Sequence, residues 1–221
     1  MKIAIMQPGY IPWLGFFDLI KRTDTFIIYS EVQYTKNDWR NRNQIKGPNG
    51  KHWITIPVKA EKKPIREIKI TDDSWKKSHL KSIEANYGKS EYFYDVYSFL
   101  LKAIWRNDEN FSSYICNIIK EICEYMELRY DRAVSLCFGD LKLSKTDRLI
   151  SICKELGANE YLSPNGAKPY LDVQAMNDAG ISVEWQNYKH PVYPQLWGDF
   201  IPNMSIIDLL FNCGKKSKDI I

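Results

Sequence analysis

The sequence predicts an α/β protein with a mostly parallel sheet, a βαβ start, a basic antiparallel β-rich insertion and a helical segment. Three observations predict this class. A strand, a short loop, a helix and a second strand follow one another within about the first thirty residues, the order of a right-handed βαβ unit. Residues 31–71 are basic and alternate apolar with polar side chains, whereas residues 73–128 repeat apolar side chains at helical spacing.

Length and composition are those of a globular chain. The 221 residues are 44% apolar and 26% charged, which excludes disordered, collagen-like and coiled-coil proteins. A chain of this length can bury one sizeable core. No apolar run approaches the ~18 residues of a membrane-spanning helix, so no membrane insertion is expected. The first apolar run ends at Gln7-Pro8-Gly9 and is too short for a signal peptide, which predicts a cytoplasmic protein.

The N-terminal elements follow from apolar periodicity and turn residues. Residues 2–6 predict a buried strand that stops at Pro8 and Gly9. Residues 13–22 carry apolar side chains at helical spacing, and residues 25–30 form a second apolar, β-branched strand. These two strands are expected to lie parallel, because a helix connects them.

The middle of the chain predicts hairpins and then helices. Two stretches with period two, residues 52–58 and 65–70, surround turn residues and predict antiparallel strands. Helices are expected at residues 73–87, 92–107 and 111–128. The last of them has its apolar residues on one stripe, which is typical of a helix that packs on a core.

The C-terminal part alternates helices and strands again. Ser144 or Thr146 can cap a helix that runs to Leu156 and ends at Gly157. The remaining predicted elements are a strand at residues 161–162, a helix at 170–179, a strand at 181–186 and a helix at 205–212. This alternation predicts further parallel strands.

The net charge of +4 is unevenly distributed. Residues 35–81 hold 13 Lys and Arg residues against 5 Asp and Glu residues, a local charge of +8. A basic third of this kind indicates an anionic ligand, such as a nucleotide, a phosphorylated sugar or RNA. A solvated, strand-rich surface is an equally weighted alternative.

The five cysteines predict neither a disulfide framework nor a zinc site, because their number is odd and no Cys-x-x-Cys pair occurs. They are Cys116, Cys123, Cys137, Cys153 and Cys213. Three lie in apolar helical contexts, where reduced, buried thiols are usual. We therefore expect reduced thiols and no bound metal.

The signatures of P-loops, dinucleotide-binding folds, zinc proteases and serine hydrolases are absent, and three other segments could carry chemistry. The first is the loop between the first strand and its helix, because ligands of open α/β sheets bind at the carboxyl ends of strands, beside helix N-termini. Its candidate ligand residues are Gln7, Tyr10, Trp13 and Gly15. The alternative is a rigid turn that packs Trp13 into the core.

The second segment, residues 39–46, is rich in side chains that donate hydrogen bonds. Arg grips phosphates bidentately and Asn pairs with amides and hydroxyls, so Asn41, Arg42 and Lys46 are candidate ligands for a phosphate or a sugar. An exposed polar loop is an equally weighted alternative. His79, at a nearby helix start, is a candidate catalytic base, although a lone histidine is more often structural.

The third segment, residues 161–171, leads from a strand end into a helix, where backbone N–H groups can face an anion. Its candidate ligand residues are Ser163, Asn165, Gly166 and Tyr170. A plain loop with a helix cap is the alternative. His190, in a proline-rich loop further on, is the second candidate base. Because parallel strands deliver their carboxyl ends to one edge, we expect these loops to converge on one cleft.

Five motifs span nearly the whole chain. They are Gln7-Pro-x-Tyr-x-Pro-Trp-x-Gly15, Asn41-Arg42 with Lys46, Trp75-x3-His79, Tyr161-x-Ser163-x2-Gly166-x3-Tyr170-Leu171, and Ser205-x2-Asp208-Leu209-x2-Asn212-x-Gly214. Together they resemble the WbqC-like protein family, which occurs in gene clusters for bacterial O-antigen and other surface polysaccharides. The resemblance implies a single domain over residues 1–221, with residues 31–71 as a β-rich basic insertion and residues 73–130 as a helical sub-domain.

The activity that the resemblance implies is transfer of a glycyl or other acyl group onto a nucleotide-linked amino sugar, with formation of an amide. The partners would be that sugar and an activated acyl donor: a thioester, an acyl-adenylate, an aminoacyl-tRNA or ATP acting in situ. Direct attack by the amine is expected, because no cysteine or serine lies in a nucleophile motif. Arg42 and Lys46 would hold the pyrophosphate, and His79 or His190 would be the general base.

Two other functions stay open. One is a nucleotidyltransferase-like enzyme that binds a nucleotide at the first strand-loop-helix. The other is a non-catalytic carbohydrate- or nucleic-acid-binding module, for which the aromatic and Asn-rich loops would suffice. Nucleic acid is the less favoured partner, because residues 39–46 contain no RNA-binding motif. The sequence identifies no cofactor and leaves the oligomeric state open, a homo-oligomer included.

Overall fold

The computed structural model of the protein describes residues 1–129, 133–134, 143 and 145–221. The strands of this part are β1 (Lys2–Met6), β2 (Thr25–Ile28), β3 (Arg42–Gly47), β4 (Gly50–Thr55), β5 (Ala133–Val134), β6 (Glu160–Ser163) and β7 (Ser182–Trp185). The helices are α1 (Leu14–Arg22), α2 (Ser74–Tyr87), α3 (Phe93–Trp105), α4 (Phe111–Tyr125), α5 (Lys145–Glu155), α6 (Val173–Asp178), α7 (Ile206–Cys213) and α8 (Ser217–Ile220). Cys137 and Ser144, named above, lie outside the described residues.

A parallel sheet forms the centre of the fold, with strand order β5-β2-β1-β6-β7. On the central strand, Ile3 lies opposite Thr25 of β2 and Tyr161 of β6. All four pairings between neighbours are parallel. The α/β class, the mostly parallel sheet and the βαβ start are therefore confirmed.

The sheet buries a core on each face because its side chains alternate. Ala4 of the central strand belongs to the larger core, which is covered by α1, α2, α3, α4 and α7. Ile3 and Ile5 point to the other face and pack with residues of α5 and α6, among them Ile152 and Met176. Both faces of the parallel sheet are thus covered by helices, as this sheet type requires.

The β-rich insertion is antiparallel as predicted, and the predicted strand at residues 52–58 overlaps β4, but its partner is β3 rather than residues 65–70. β3 pairs with β4 across a turn in which Gly50 has a φ of +90°. The predicted strand at residues 65–70 is wrong, because Ile65–Glu67 is a 3₁₀ turn and only an isolated bridge joins Val58 to Ile70. Pro64 fixes φ and has no N–H to give to a strand ladder, so the chain turns there.

The helix at residues 170–179 is also shorter than predicted. Asp172 accepts a hydrogen bond from the Ala175 N–H and thereby caps α6, which starts at Val173. Thr146 lies inside α5 instead of capping it, and its hydroxyl accepts the Asp172 N–H at 3.1 Å. Side-chain contacts between α5 and the start of α6 therefore set this boundary.

Four of the cysteines, Cys116, Cys123, Cys153 and Cys213, are free thiols. Burial raises the pKa of the Cys153 thiol to about 12.

In the part of the chain that the structure describes, no helix has both the length and the apolar composition needed to cross a bilayer.

Candidate functional site

A cleft with two lobes lies at the carboxyl ends of β1, β2 and β6. The first, which we call the cationic lobe, has a volume of about 610 Å³. The second, the aromatic lobe, has a volume of about 430 Å³. Both lobes are lined by Met6, Gln7, Trp13 and Arg40, so they lie side by side. This is the edge at which open parallel sheets bind ligands.

The loop after β1 forms the floor between the lobes and is held from two sides. The Tyr10 N–H donates to the Arg40 carbonyl at 2.8 Å. The Asn43 side-chain amide donates to the carbonyls of Tyr10 and Ile11, at 3.2 and 2.9 Å. The hydroxyl of Ser205, the N-cap of α7, donates to the same Ile11 carbonyl at 2.7 Å. The loop is therefore fixed by groups far away in the sequence.

Ile11 shows how strongly this loop is constrained. It has a φ of +36°, in the left-handed region that β-branched residues avoid. Such a conformation costs on the order of 1–3 kcal/mol and persists only where the surroundings impose it. Its side chain is buried, and its carbonyl receives the Asn43 and Ser205 hydrogen bonds. Backbone strain of this kind is typical of functional loops.

Trp13 presents its ring to both lobes because of Gly15. A Cβ atom on Gly15 would stand 2.3 Å from the Trp13 ring, so only glycine lets the indole fold back over the first turn of α1. Tyr188 packs edge-on against the same indole, with ring centroids 5.3 Å apart. The Gln186 side chain donates to the Gly15 carbonyl at 2.7 Å. Gly15 thus shapes the cleft without lining it.

Three cations line the cationic lobe: Arg40, Lys145 and Arg148. Lys145 and Arg148 stand on the first turn of α5, at the positive end of that helix dipole. Arg40 pairs with Asp38 at 3.3 Å, and burial lowers the pKa of its guanidinium. Within the described part of the chain, the buried Nε–H of Arg40 has no hydrogen-bond partner.

The electrostatics of the cationic lobe favour an anion. Of the described residues that line it, none is an aspartate or a glutamate. Tyr29 and Tyr170 stand beside the cations: Arg148 acts against the burial that raises the pKa of Tyr29, and the Lys145 ammonium lies 5.0 Å from the centre of the Tyr170 ring. A phosphate or pyrophosphate group fits this combination of guanidinium, ammonium and phenol donors.

The aromatic lobe has a different character. Its walls are Trp13, Phe16 and Trp39, with Asn43 and Asn203 as polar groups. Flat apolar walls with a few amides are typical of sites for sugars and other amphipathic groups. The cleft therefore offers an anion subsite and an aromatic subsite side by side, with Gln7 and Arg40 at their boundary.

Four of the predicted site residues line the cleft: Gln7, Trp13, Gly166 and Tyr170. Tyr170 is 51% exposed and stands at the rim. These four come from the first and third predicted segments, and Trp39, Arg40 and Asn43 come from the second. All three segments thus meet at one edge of the sheet.

Other predicted ligand residues do not line the cleft. Tyr10 and Ser163 are fully buried, and Asn165 accepts a hydrogen bond from the Asn187 N–H at 3.2 Å. The Lys46 ammonium is buried and donates to the Asp199 carbonyl at 2.6 Å and to the Gln195 side chain at 3.1 Å. These contacts give Tyr10, Ser163 and Lys46 a packing role in this structure.

Asn41 and Arg42 line a separate basic pocket of about 220 Å³, together with Lys36 and Asn37. Asn41 is engaged internally, since it accepts from the Tyr34 hydroxyl and donates to the Ile56 carbonyl. Arg42 donates to the Asn37 carbonyl at 2.6 Å. Of the candidate phosphate or sugar ligands in residues 39–46, Asn41 and Arg42 thus line this pocket and Lys46 is buried in the interior.

His79 lies beneath the first loop and is only 5% exposed. Its Nδ1 is 3.1 Å from the Tyr10 hydroxyl, and the imidazole also hydrogen-bonds the Thr55 backbone. Burial lowers the pKa of His79 to about 4. The ring is therefore neutral at pH 7, and neither His79 nor its partner Tyr10 lines the cleft.

His190 has both ring nitrogens engaged at the side of the aromatic lobe. Its Nδ1 lies 2.9 Å from the Pro191 carbonyl, and its Nε2 accepts the Asn203 N–H at 3.1 Å. Asn203 lines the aromatic lobe and has a φ of +62°. His190 therefore contacts a lining residue of the cleft, Asn203, whereas the Tyr10 partner of His79 is itself buried. That either histidine is a general base stays a prediction.

Sequence reasoning missed Trp39, Arg40, Lys145 and Arg148 as site residues. Lys145 and Arg148 share the first turn of α5 with Asp147, so the charge pattern of that turn is mixed and gave no signal for an anion site. Arg40 gave no signal either, since it differs from Arg42 only by its position two residues earlier.

The described residues contain no group of three or more His, Cys, Asp or Glu side chains placed to hold a metal ion. The polar groups at the cleft are instead guanidinium, ammonium, amide and phenol donors. The cleft can therefore bind an anionic group and hold a neighbouring, less polar group in a fixed orientation next to it.

Comparison with known proteins gives two matches. A profile of the WbqC-like protein family matches residues 7–220. An uncharacterized protein of Mycobacterium tuberculosis, Rv1507c, is 39% identical over 226 residues, which cover 100% of this chain and 97% of the relative. No solved structure matches this chain.

Proposed function

The chain belongs to the WbqC-like protein family, and from the geometry of its cleft we propose that it is a transferase that forms an amide on a nucleotide-linked amino sugar. The acyl group transferred is a glycyl or another small acyl group, in the biosynthesis of bacterial surface polysaccharide. The observation that carries the proposal is the cationic lobe next to an aromatic lobe, at the edge where parallel sheets bind nucleotides.

The two lobes match the two parts of a nucleotide-linked sugar. Arg40, Lys145 and Arg148 would hold the pyrophosphate, because guanidinium and ammonium groups form charge-assisted hydrogen bonds to phosphate oxygens. Trp13 and Trp39 would support the sugar ring, and Asn43 or Asn203 would hydrogen-bond its hydroxyls. The amine to be acylated then lies near Gln7 and Arg40, where the lobes meet.

The reaction proposed is direct aminolysis. The amine nitrogen bonds to the acyl carbonyl carbon, the bond from that carbon to its carrier breaks with the electron pair on the carrier, and the proton that the amine loses passes to the departing carrier atom. Positioning supplies much of the rate in such a step. The Arg40 guanidinium stands where it could stabilise the oxyanion of the tetrahedral intermediate.

In this proposal His79 and His190 act on the cleft through their neighbours. His79 holds Tyr10 in the first loop, and His190 holds the backbone of Asn203. Either residue would then be a positioning residue, and its loss would change substrate affinity along with turnover. The alternative is the predicted general base, whose loss lowers kcat by ~10²–10⁴ at unchanged affinity.

The binding half of the proposal is tested by calorimetry and thermal shift with UDP-, dTDP- and GDP-linked amino sugars. A ligand at 100 times its Kd should stabilise the protein by roughly 2.7 kcal/mol. Arg40→Gln and Arg148→Gln should each weaken binding by about 10- to 150-fold, the value of a hydrogen bond to a charged group. Arg106→Gln is the matched control, because Arg106 pairs with Glu121 outside the cleft.

The reaction half is tested by mass spectrometry of the sugar after incubation with acyl-CoA, aminoacyl-tRNA, or amino acid with ATP. The expected product is the N-acylated nucleotide sugar. Binding without any product would favour the non-catalytic module. Release of pyrophosphate without an amide would favour the nucleotidyltransferase-like enzyme.

A further inference from the structure

Two exposed tryptophans stand next to each other at the rim of the cleft. Trp39 is 49% exposed and Trp53 is 41% exposed, and their ring centroids are 4.8 Å apart. Trp39 also lines the aromatic lobe, whereas Trp53 lies on the open face of β4. The nucleotide-sugar subsites described above do not use Trp53. Adjacent large aromatic rings left open to water indicate a surface that another molecule covers.

A guanidinium extends this aromatic surface. The Arg42 guanidinium lies 4.3 Å from the centre of the Trp53 ring, and Arg42 also lines the basic pocket with Lys36 and Asn37. In the part of the chain that the structure describes, the buried Nε–H of Arg42 has no hydrogen-bond partner. We call Trp39, Trp53 and Arg42 the tryptophan ridge. It runs without a gap from the cleft to the basic pocket.

The charge around the ridge selects an anion. Lys36 and Lys51 are both exposed: Lys36 lines the basic pocket, and Lys51 stands two residues before Trp53 on the same face of the strand. The carboxylate nearest in sequence, Asp38, is already paired with Arg40. Flat rings beside cations are the two features with which proteins hold a base and its phosphate.

This combination narrows the identity of the second substrate. CoA thioesters, acyl-adenylates and aminoacyl-tRNAs all carry an adenosine with a phosphate. In the last two the acyl group is attached to that nucleotide, and in CoA thioesters it lies at the far end of the pantetheine arm. Resting on the function proposed above, we propose that the tryptophan ridge binds the adenine nucleotide of the acyl donor. The base stacks on Trp53, a phosphate meets Arg42 and Lys36, and the acyl group reaches the cleft past Trp39.

The test is calorimetry with adenosine 3′,5′-bisphosphate as the probe, on the full chain and four variants. Trp53→Ala should weaken binding by about 5- to 150-fold, the measured range for loss of one base–aromatic stack. Trp53→Phe should retain most of the affinity, and Arg42→Gln should lose about tenfold or more. Trp105→Ala is the control, since Trp105 is 52% exposed on α3, away from the ridge.

Equal affinity in wild type, Trp53→Ala and Arg42→Gln would overturn the proposal, as would a wild-type protein that binds no adenine nucleotide. Competition by AMP, coenzyme A and an RNA minihelix ending in CCA identifies the source, because the true carrier displaces the probe at the lowest concentration. The nucleotide-linked sugars should bind Trp53→Ala as they bind wild type. Adenine binding at the ridge without sugar binding in the cleft would refute the proposed function and leave the ridge site standing.

Discussion

The free energy of unfolding should fall as the pH drops from about 6.5 to about 4, because His79 is buried in its neutral form. Its ring is 5% exposed and lies between the Tyr10 hydroxyl and the Thr55 backbone. Burial lowers the pKa of His79 in the folded protein to about 4 from an ordinary 6.5. Between these pH values His79 is protonated in the unfolded chain but neutral in the folded protein, so the free energy of unfolding rises with pH.

The size of the effect follows from the two pKa values. A gap from about 6.5 to about 4 corresponds to about 3 kcal/mol, fully present above pH 6.5 and lost towards pH 4. Carboxylates also titrate in this range, so the comparison must be between proteins that differ only at position 79. His79→Gln removes the titrating group. Between pH 4 and pH 8 the free energy of unfolding of this variant should change by about 3 kcal/mol less than that of wild type.

The assay is urea unfolding at half-unit steps from pH 4 to pH 8. Tyr10→Phe is the control, because it removes the partner of Nδ1 but leaves the imidazole buried. It should lose about 1–3 kcal/mol at every pH and keep the wild-type dependence on pH. Parallel curves for wild type and His79→Gln would refute the reasoning, since His79 would then not be buried as a neutral ring.

The same loop and its supports give two more expectations. Gly15→Ala should destabilise the protein by about 1–3 kcal/mol and weaken binding of the nucleotide sugar, because the new Cβ meets the Trp13 ring at 2.3 Å. Gly166→Ala is the control and should change stability little, because the described residues leave open space around its new Cβ. Equal urea midpoints for the Gly15→Ala and Gly166→Ala variants would contradict this. Asn43→Ala should cost about 1–3 kcal/mol and speed proteolysis of the loop, because the Tyr10 and Ile11 carbonyls lose the Asn43 donor. An unchanged cleavage rate would contradict this and leave the Arg40 and Ser205 contacts as the supports of the loop.

Local patterns in the sequence determined the class of the fold and the edge that carries the cleft. β1, α1 and β2 are each specified by apolar spacing within a few residues, and Pro8, Gly9 and Gly157 mark where elements stop. Once the strands are parallel, their carboxyl ends must meet at one edge. The first and third segments were predicted as ligand loops on that ground, and both contribute lining residues to the cleft.

The tertiary structure alone decided which side chains face the cleft. Arg40 and Arg42 are alike in sequence, but β3 begins at Arg42, so Arg42 belongs to the hairpin while Arg40 stays beside the first loop. The Lys46 ammonium is hydrogen-bonded to groups of the loop at residues 195–199. His79 is hydrogen-bonded to Tyr10, which is 69 positions away in the sequence. Such contacts depend on where distant segments pack, and no local periodicity encodes them.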